Sequence, residues 1–349
     1  MIYNLKLKRA LLFICSVILI SVISSCKNKI DTAEIKAANL KADSLSIKLN
    51  SPELKGVNAL LLKEPNNPDL YYKRASVYLN LQQMHETVGD ALRAIKLDST
   101  KAEYYLILGD AYFAQNKTKL AKDVLEIIEK KFPENTEALL KLSELYFLVR
   151  QYQKGIDYAN KALKVNDNLA KAYYLKANIY RESGDTARAI SNLETAAEQD
   201  NKFTDAFHDL GVIYAARKNP LALDYYNNVL KINPDDEEVK YARAKLLQDL
   251  GKIEEAIAEY ENILIKNKNC ANCFYNLGAI NLEIKKDNKK ALEYFTKAIA
   301  ANPSYPEAYF ARGYTYSKLK DKSNAKADYN VCLKLVPNYG PAIQGLNEL

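Results

Sequence analysis

Five tyrosines recur along this chain at a constant interval of 34 residues: Tyr78, Tyr112, Tyr146, Tyr180 and Tyr214. A small residue stands three positions before each of them, and this small position continues with spacings of 33, 34 and 35 residues: Ala75, Gly109, Ser143, Ala177, Gly211, Ala244, Gly278 and Gly313. A fixed interval over most of a chain indicates a repeated structural unit. A chain of 349 residues is also longer than one hydrophobic core needs.

Each repeat has the pattern of two helices. Leu210, Ile213 and Tyr214 follow the i, i+3, i+4 spacing of one helix face. Eleven to thirteen residues after the first small position, a second small position recurs: Thr87, Ala121, Gly155, Ala189, Ala222, Ala256, Ala291 and Ala325. Two antiparallel helices approach closely only where both present small side chains. The spacing therefore predicts a helical hairpin in every repeat.

This pattern resembles the tetratricopeptide repeat, a family of helix-turn-helix units that stack side by side. The resemblance covers about eight repeats in residues 68–339 and implies an all-α, right-handed superhelical solenoid. Since no repeat buries its apolar face alone, stability depends on stacking between neighbours. Leu247 and Asn281 replace the tyrosine in the sixth and seventh repeats. Asn281 implies either a weaker interface or a hydrogen-bonded exception.

The flanking segments predict caps and a tether. Ser51 followed by Pro52 is typical of a helix N-terminus and would open a capping half repeat in residues 51–67. A short helix in residues 340–349 would cover the last repeat, with one stripe that consists of Ile343, Leu346 and Leu349. Residues 26–50 are rich in lysine and weakly helical, and they are predicted to be a tether.

The N-terminus predicts a signal peptide in residues 1–25. Lys6, Lys8 and Arg9 precede an apolar run over residues 10–23, which is shorter than the ~20 residues of a membrane-spanning helix. The run ends in Ile-Ser-Ser-Cys, which resembles the lipobox of bacterial lipoproteins and implies lipidation of Cys26. Several acyl chains, such as palmitate, on this residue would give stable membrane attachment. The alternative is an uncleaved anchor helix with an incidental cysteine.

The residues after Cys26 favour one membrane. Lys27 follows the cysteine, whereas enterobacterial lipoproteins retained in the inner membrane carry aspartate there. Residues 27–29 also lack the acidic cluster that resembles a surface-export signal. We therefore expect a lipid anchor in the outer membrane, with the protein facing the periplasm.

In the family that the chain resembles, ligands usually lie along the inner surface formed by the first helices. One column of positions on this surface is Tyr72, Leu106, Leu140, Tyr174, His208, Tyr241, Tyr275 and Phe310. A second column includes Asp110, Glu144 and Asn178, while Glu103 and Glu137 stand at helix starts and Phe113 and Phe147 lie beside them. These residues are expected to form a concave peptide-binding groove.

The groove of the first three repeats is acidic. Glu103, Asp110, Glu137 and Glu144 beside apolar residues suit a basic, partly apolar peptide, because carboxylates steer the partner and aromatic anchors supply affinity. The alternative interpretation is an ordinary solvated face with tyrosines that pack between neighbouring repeats.

Three cysteines would remain outside the signal peptide and the lipidation site. Cys270 and Cys273 lie at a predicted helix start, where a disulfide, two small packed thiols and a redox pair all stay open. A thioredoxin-like site would need a preceding strand, which the repeats do not offer. Cys332 stands at a small-residue position, so core packing explains it.

Composition and motifs disfavour catalysis. The chain has only two histidines, and HExxH, nucleophile-elbow, P-loop and dinucleotide patterns do not occur. We therefore expect no enzyme activity, cofactor, metal or small-molecule substrate. The formal charge of +7 is mild and partly lies in the signal peptide, so nucleic acid is not an expected partner. The function expected is a membrane-anchored scaffold for a protein partner in an envelope complex for assembly, secretion or motility. An envelope thiol-redox accessory protein that uses Cys270 and Cys273 is the alternative.

The predicted location in the outer membrane has a direct test. Fractionation of the bacterial envelope should recover the protein in the outer membrane, because Cys26 carries the lipid and Lys27 does not supply the retention signal. Recovery in the inner membrane would overturn the assignment.

Overall fold

The computed structural model describes residues 51–349, in which all regular secondary structure is α-helical. This confirms the all-α class that the repeat spacing predicts. The predicted signal peptide (1–25) and tether (26–50), with Cys26, lie outside the described residues.

The chain divides after Arg150 into two compact units. Unit 1 contains α1 (Pro52–Lys63), α2 (Pro68–Asn80), α3 (Met84–Leu97), α4 (Ala102–Ala114), α5 (Thr118–Lys131) and α6 (Thr136–Leu148). Unit 2 contains α7 (Tyr152–Val165), α8 (Ala170–Glu182), α9 (Thr186–Gln199), α10 (Thr204–Ala216), α11 (Leu221–Ile232), α12 (Glu237–Asp249), α13 (Ile253–Lys266), α14 (Ala271–Glu283), α15 (Asn288–Ala301), α16 (Pro306–Lys318), α17 (Lys322–Leu335) and α18 (Gly340–Asn347). The predicted domain boundaries at 51–67, 68–339 and 340–349 stay predictions.

Helical hairpins close at the predicted small positions. In unit 2 the ring of Tyr226 on α11 lies directly on the backbone of α10, since a Cβ placed on Gly211 would be 2.5 Å from its Cε1 atom. Phe295 on α15 packs on Gly278 in the same way, at 2.7 Å. Such contacts exist only because the first helix has no side chain there. Glycine on one helix and a ring on the other together fill the hairpin interface.

Gly109 in unit 1 packs against a smaller side chain than the glycines of unit 2 do. A Cβ placed on Gly109 would lie 3.7 Å from Cδ2 of Leu125, which is an ordinary van der Waals distance. Leu125 on α5 thus contacts Gly109 at the place where rings pack on the glycines of unit 2.

The turn inside each hairpin contains one residue in the left-handed region. These residues are Gln82, Asn116, Arg150, Gly184, Lys218, Gly251, Lys286 and Lys320, with φ between 51° and 83°. Only two of the eight are glycine, so composition alone does not reveal the turns. The backbone N–H of Gln83 donates to the carbonyl of Tyr78, and that of Asp185 donates to Tyr180, both at 2.8 Å. These bonds cap the first helix at the repeat tyrosine.

Asn281 is a hydrogen-bonded exception. Its side chain is buried, and Nδ2 donates to the carbonyl of Leu277 at 2.7 Å. Among the described residues, no buried side-chain nitrogen or oxygen lacks a partner. The amide therefore replaces the repeat tyrosine without leaving an unsatisfied polar group.

Three arginines join consecutive helices, a feature that the repeat pattern did not indicate. Arg74 on α2 forms a bidentate ion pair with Asp90 on α3, at 2.6 and 2.7 Å, and also donates to Asn58 on α1 at 2.8 Å. Equivalent pairs at the same spacing of 16 residues join Arg243 to Glu259 in one hairpin, and Arg312 to Asp328 in another. Bidentate geometry with a largely buried carboxylate fixes the register between the helices.

The two ends agree with the predicted caps, apart from one residue. The Ser51 hydroxyl accepts from the N–H of Leu54 at 3.2 Å, which confirms the predicted N-cap before Pro52. At the other end, Ala342 is buried and Leu346 and Leu349 pack on its cluster. Ile343 was expected on this stripe but is 43% exposed, because Ala342 occupies the inward position instead.

The contacts at Gly211 and Gly109 predict different effects of the same substitution on stability. Gly211→Ala should lower the free energy of unfolding by about 1–3 kcal/mol, because the new methyl group overlaps the ring of Tyr226. Gly109→Ala should be neutral, or stabilising by up to ~1 kcal/mol, because alanine favours helix and the new methyl group meets Leu125 at an ordinary van der Waals distance. Denaturant melts followed by circular dichroism measure both changes, and equal losses would contradict this account of the packing.

Candidate functional site

A recess opens on unit 1 beside Gly109 and Leu125. This Gly109 recess has a volume of about 170 Å³ and is lined by Gly109, Asp110, Phe113, Ala121, Leu125, Lys141, Glu144 and Leu145. Residues of α4, α5 and α6 thus meet around one cavity. Three of the residues predicted for the groove, Asp110, Phe113 and Glu144, lie together here.

The interior and the mouth of the Gly109 recess differ in polarity. Ala121 and Leu125 are buried in the hairpin, whereas Phe113 is 43% exposed. Phe113 lies one helix turn after Asp110, close to the end of α4 at Ala114. The recess therefore combines an apolar floor with a charged edge, which is a common property of ligand sites.

The positive charge of Lys141 offsets part of the negative charge that the sequence predicts for this surface. Its Nζ atom lies 2.6 Å from Oδ1 of Asp110 and 3.6 Å from Oε1 of Glu137. Burial opposes the charge, yet hydrogen bonding to Asp110 and the nearby carboxylates raises the pKa of Lys141 above its ordinary value. Lys141 follows Leu140 of the predicted column, and only the tertiary contact with Asp110 reveals its role.

The other groove residues predicted for unit 1 differ in exposure. Glu103 and Glu137 are exposed, and Phe147 is half-buried. Leu140 is buried between helices, with only 9% exposed. Tyr72 packs against the ring of Tyr104, with centroids 5.5 Å apart.

The aromatic column in unit 2 is largely committed to internal contacts. Tyr174 meets Phe203 edge-on at 5.2 Å, Tyr241 lies 5.9 Å from Tyr260, Tyr275 lies between Phe295 and Tyr305, and Phe310 contacts Tyr314, Tyr329 and Tyr339. Burial raises the pKa of Tyr275. These contacts agree with tyrosines that pack between neighbours, while the half-buried edges stay accessible.

A polar network joins two further predicted residues, Asn178 and His208. Arg181 donates to Asn178 at 2.9 Å and to Asp209 at 2.9 Å, and Nδ1 of His208 lies 3.6 Å from Asp209. Asp209 was not among the residues predicted for the groove, although it follows His208 directly. The contacts orient Arg181 and His208 on the surface shared by α8 and α10.

A second recess lies at the equivalent repeat position in unit 2. This Gly211 recess has a volume of about 280 Å³, and its lining includes Val212, Tyr226, Lys218, Lys245 and Asp249. Burial raises the pKa of Tyr226 to about 12. The Tyr226 ring occupies the floor over Gly211, and two lysines stand against one carboxylate.

The cysteines have separate structural roles. Cys270 and Cys273 form a disulfide at the start of α14, and Cys270 Sγ accepts from the N–H of Cys273 at 3.2 Å. Cys273 is fully buried and Cys270 is half-buried. Cys332 is a buried free thiol, which confirms that it packs in the core.

Residues 51–349 offer neither a metal-binding cluster nor a membrane-spanning helix. No group of three or more His, Cys, Asp or Glu residues is arranged to hold a metal ion. None of the helices is long and apolar enough to cross a membrane.

Family models match a large part of the chain. A model described as tetratricopeptide repeat matches residues 106–170 and 241–306, and two further models with the same description match residues 170–203 and 294–327. Together the matched stretches make up more than half of the sequence.

Curated relatives match at low identity. DnaJ homolog subfamily C member 3 of Bos taurus is 24% identical over 293 residues, which cover 70% of this chain and 58% of that protein. The human mitochondrial import receptor subunit TOM70 is 24% identical over 187 residues, which cover 51% of this chain and 31% of that protein. The chain thus spans less than two thirds of either relative.

A solved structure shows the same fold. The C-terminal part of a TPR repeat-containing protein from Cytophaga hutchinsonii has a TM-score of 0.60 at 20% identity, and the match covers 70% of this chain and 99% of that one. The likeness supports the repeat architecture and carries no functional assignment.

The contact between Lys141 and Asp110 predicts a measurable coupling. A double-mutant cycle with Lys141→Met and Asp110→Asn should give about 0.5–1 kcal/mol, because both groups are only partly screened by solvent. The pKa of Lys141 is raised in the folded state, so the coupling persists up to the ordinary lysine pKa of ~10.4 and is lost above it. Lys266 and Asp235, which are more than half exposed, form the control pair. Equal coupling in the two pairs would contradict the prediction.

Proposed function

Because the chain belongs to the tetratricopeptide repeat family, we propose that it is a non-enzymatic scaffold that binds a peptide segment of a partner protein in a bacterial cell envelope. Proteins built from these repeats bind protein or peptide partners. The single observation that carries the proposal is the Gly109 recess, which has an apolar floor and a charged edge on the face of the first helices. The partner would belong to an envelope complex for assembly, secretion or motility.

The charges beside the recess support a peptide rather than a small metabolite. Glu103 and Glu137 are exposed at the starts of α4 and α6, each seven residues before a carboxylate of the recess lining. Two helix turns separate such residues, so the carboxylates extend along about 10 Å of each helix. An extended basic segment contacts such a row, whereas a compact ligand would meet only one end.

Membrane attachment through Cys26 forms part of the same proposal. Support comes from the order of basic residues, apolar run and lipobox in residues 1–26. The lipid would hold the repeats near the outer membrane, on the periplasmic side. A scaffold fixed there raises the local concentration of its partner.

A thiol-redox role has one supporting observation, the disulfide between Cys270 and Cys273 at a helix N-terminus. Cys273 is fully buried and Cys270 is half-buried, so an attacking thiolate would reach this disulfide from the Cys270 side. Function that is retained in a Cys270→Ser, Cys273→Ser double variant would dismiss this role.

Site-specific photo-crosslinking tests the scaffold proposal. A benzophenone amino acid in place of Glu103 should capture one protein partner in the native bacterium, since Glu103 is exposed on the proposed binding face. The same probe in place of Lys130, which is exposed on α5 and does not line the recess, is the matched control. Mass spectrometry identifies the adduct. Identical adducts from both positions, or none from Glu103, would contradict the proposal.

A further inference from the structure

We propose that the lysine-rich turns of the seventh and eighth repeats dock on a membrane surface of anionic phospholipids. These turns, residues 283–290 and 317–326, together form what we call the basic turn edge. The inference rests on the membrane attachment in the proposed function and adds a second contact with the lipid. Both turns belong to unit 2, and neither contributes to the Gly109 recess.

The basic turn edge has an excess of positive charge. It contains eight lysines and three carboxylates, those of Glu283, Asp287 and Asp321. Lys285 pairs with Glu254 at 3.1 Å. Lys322 donates to the backbone oxygen of Leu349. Within residues 51–349 the other six lysines form no ion pair, and all six are exposed: Lys286, Lys289, Lys290, Lys318, Lys320 and Lys326.

Helix stability does not account for these lysines. The N-terminal end of a helix favours Asp and Glu, because the free N–H groups leave a partial positive charge there. The N-cap residues of α15 and α17 are aspartates, but no acidic residue follows in the first turn of either helix. Lys289 and Lys290 lie in the first turn of α15, and Lys322 begins α17. In the sixth repeat, α13 has Glu254 and Glu255 at this place. The charge in the last two repeats therefore favours contact with an anionic partner at some cost to the helices.

Two exposed apolar side chains lie among the lysines. Ile284 and Leu319 directly follow the first helices of the two repeats and are 49% and 43% exposed. An apolar side chain flanked by lysines suits the boundary between headgroups and acyl chains, since burial there adds to the electrostatic attraction. The two hairpins pack against each other through a cluster that joins α14, α15 and α16. Their turns therefore lie at the same edge, where one flat surface can contact both.

The opposite ends of the hairpins in unit 2 lack this charge. The turn between α13 and α14 has one lysine, Lys268, and residues 302–305 between α15 and α16 have no charged side chain. The turn between α11 and α12 is acidic, with Asp235 and Asp236. An anionic surface would thus attract one edge of unit 2 and fix its orientation.

A fluorescent amino acid, dansylalanine, in place of Ile284 tests the docking. The full chain is produced in the native bacterium and reconstituted into vesicles of phosphatidylcholine, alone or mixed in equal parts with phosphatidylglycerol. Emission from position 284 should shift to shorter wavelengths only in the vesicles with phosphatidylglycerol. Salt at about 1 M should reverse the shift, because the Debye length falls to ~3 Å.

Ile265 provides the matched control position for the label. It is 74% exposed and lies about 16 Å further along α13 than Glu254, which pairs with the basic turn edge. Dansylalanine at position 265 should show no shift in either kind of vesicle. Absence of a shift at position 284, or an equal shift at position 265, would overturn the inference.

Lysine substitutions test the charge. The triple variant Lys289→Gln, Lys290→Gln, Lys326→Gln should lower the ratio of docked to undocked protein roughly 100-fold, because each lysine near an anionic surface contributes a factor of about five. Its melting temperature should be unchanged or higher, since first-turn lysines oppose the helix dipole. The triple variant Lys231→Gln, Lys268→Gln, Lys334→Gln removes the same charge from exposed positions at the opposite ends of the hairpins and should keep the shift. A shift that survives the first variant would overturn the inference.

Two further measurements separate the docking from other contacts. Flotation with vesicles of phosphatidylcholine alone tests the attachment through Cys26, so a failure to float contradicts that attachment. A protein that floats without the shift at position 284 contradicts only the docking. If the shift requires added polyglutamate instead of phosphatidylglycerol, the basic turn edge binds an acidic protein and the docking on lipid is overturned.

Discussion

The close approach of two helices within each hairpin is the contact on which the other features of this protein depend. Where the first helix carries glycine, as at Gly211 and Gly278, a ring from the second helix lies directly on its backbone. A methyl group at either glycine would overlap that ring, so the two positions are constrained together. The left-handed residue in each turn and its capping bonds bring the second helix back to this contact. Stacking of hairpins then buries what remains apolar.

A candidate site lies beside one hairpin in which that contact has another partner. At Gly109 the second helix offers Leu125 instead of a ring, and a recess bordered by α6 lies beside this pair. The same interface brings Lys141 against Asp110, which anchors this carboxylate internally. Packing between the helices and the lining of the candidate site thus involve the same residues.

Ion pairs between neighbouring helices fix how these helices align along their length. Arg74, Arg243 and Arg312 each form a bidentate pair with a carboxylate 16 residues later. Other repeats, such as those with Leu108 and Leu210, have a leucine at the same position. A directed ion pair fixes the register between helices, whereas leucine contributes burial without direction. The same position in the repeat therefore carries an ion-paired arginine in some repeats and an apolar leucine in others.

The sequence by itself determined the repeat: its period, its two helices, the small positions where they meet, and the N-cap at Ser51. These properties depend on residue size and spacing along the chain, which a linear pattern records. Tertiary structure decided that a recess lies beside Leu125, that Lys141 neutralises Asp110, that the aromatic column of unit 2 packs inward, and that Ile343 lies outside its expected stripe. Each of these depends on the distance between side chains from different helices, and residue type alone does not specify that distance.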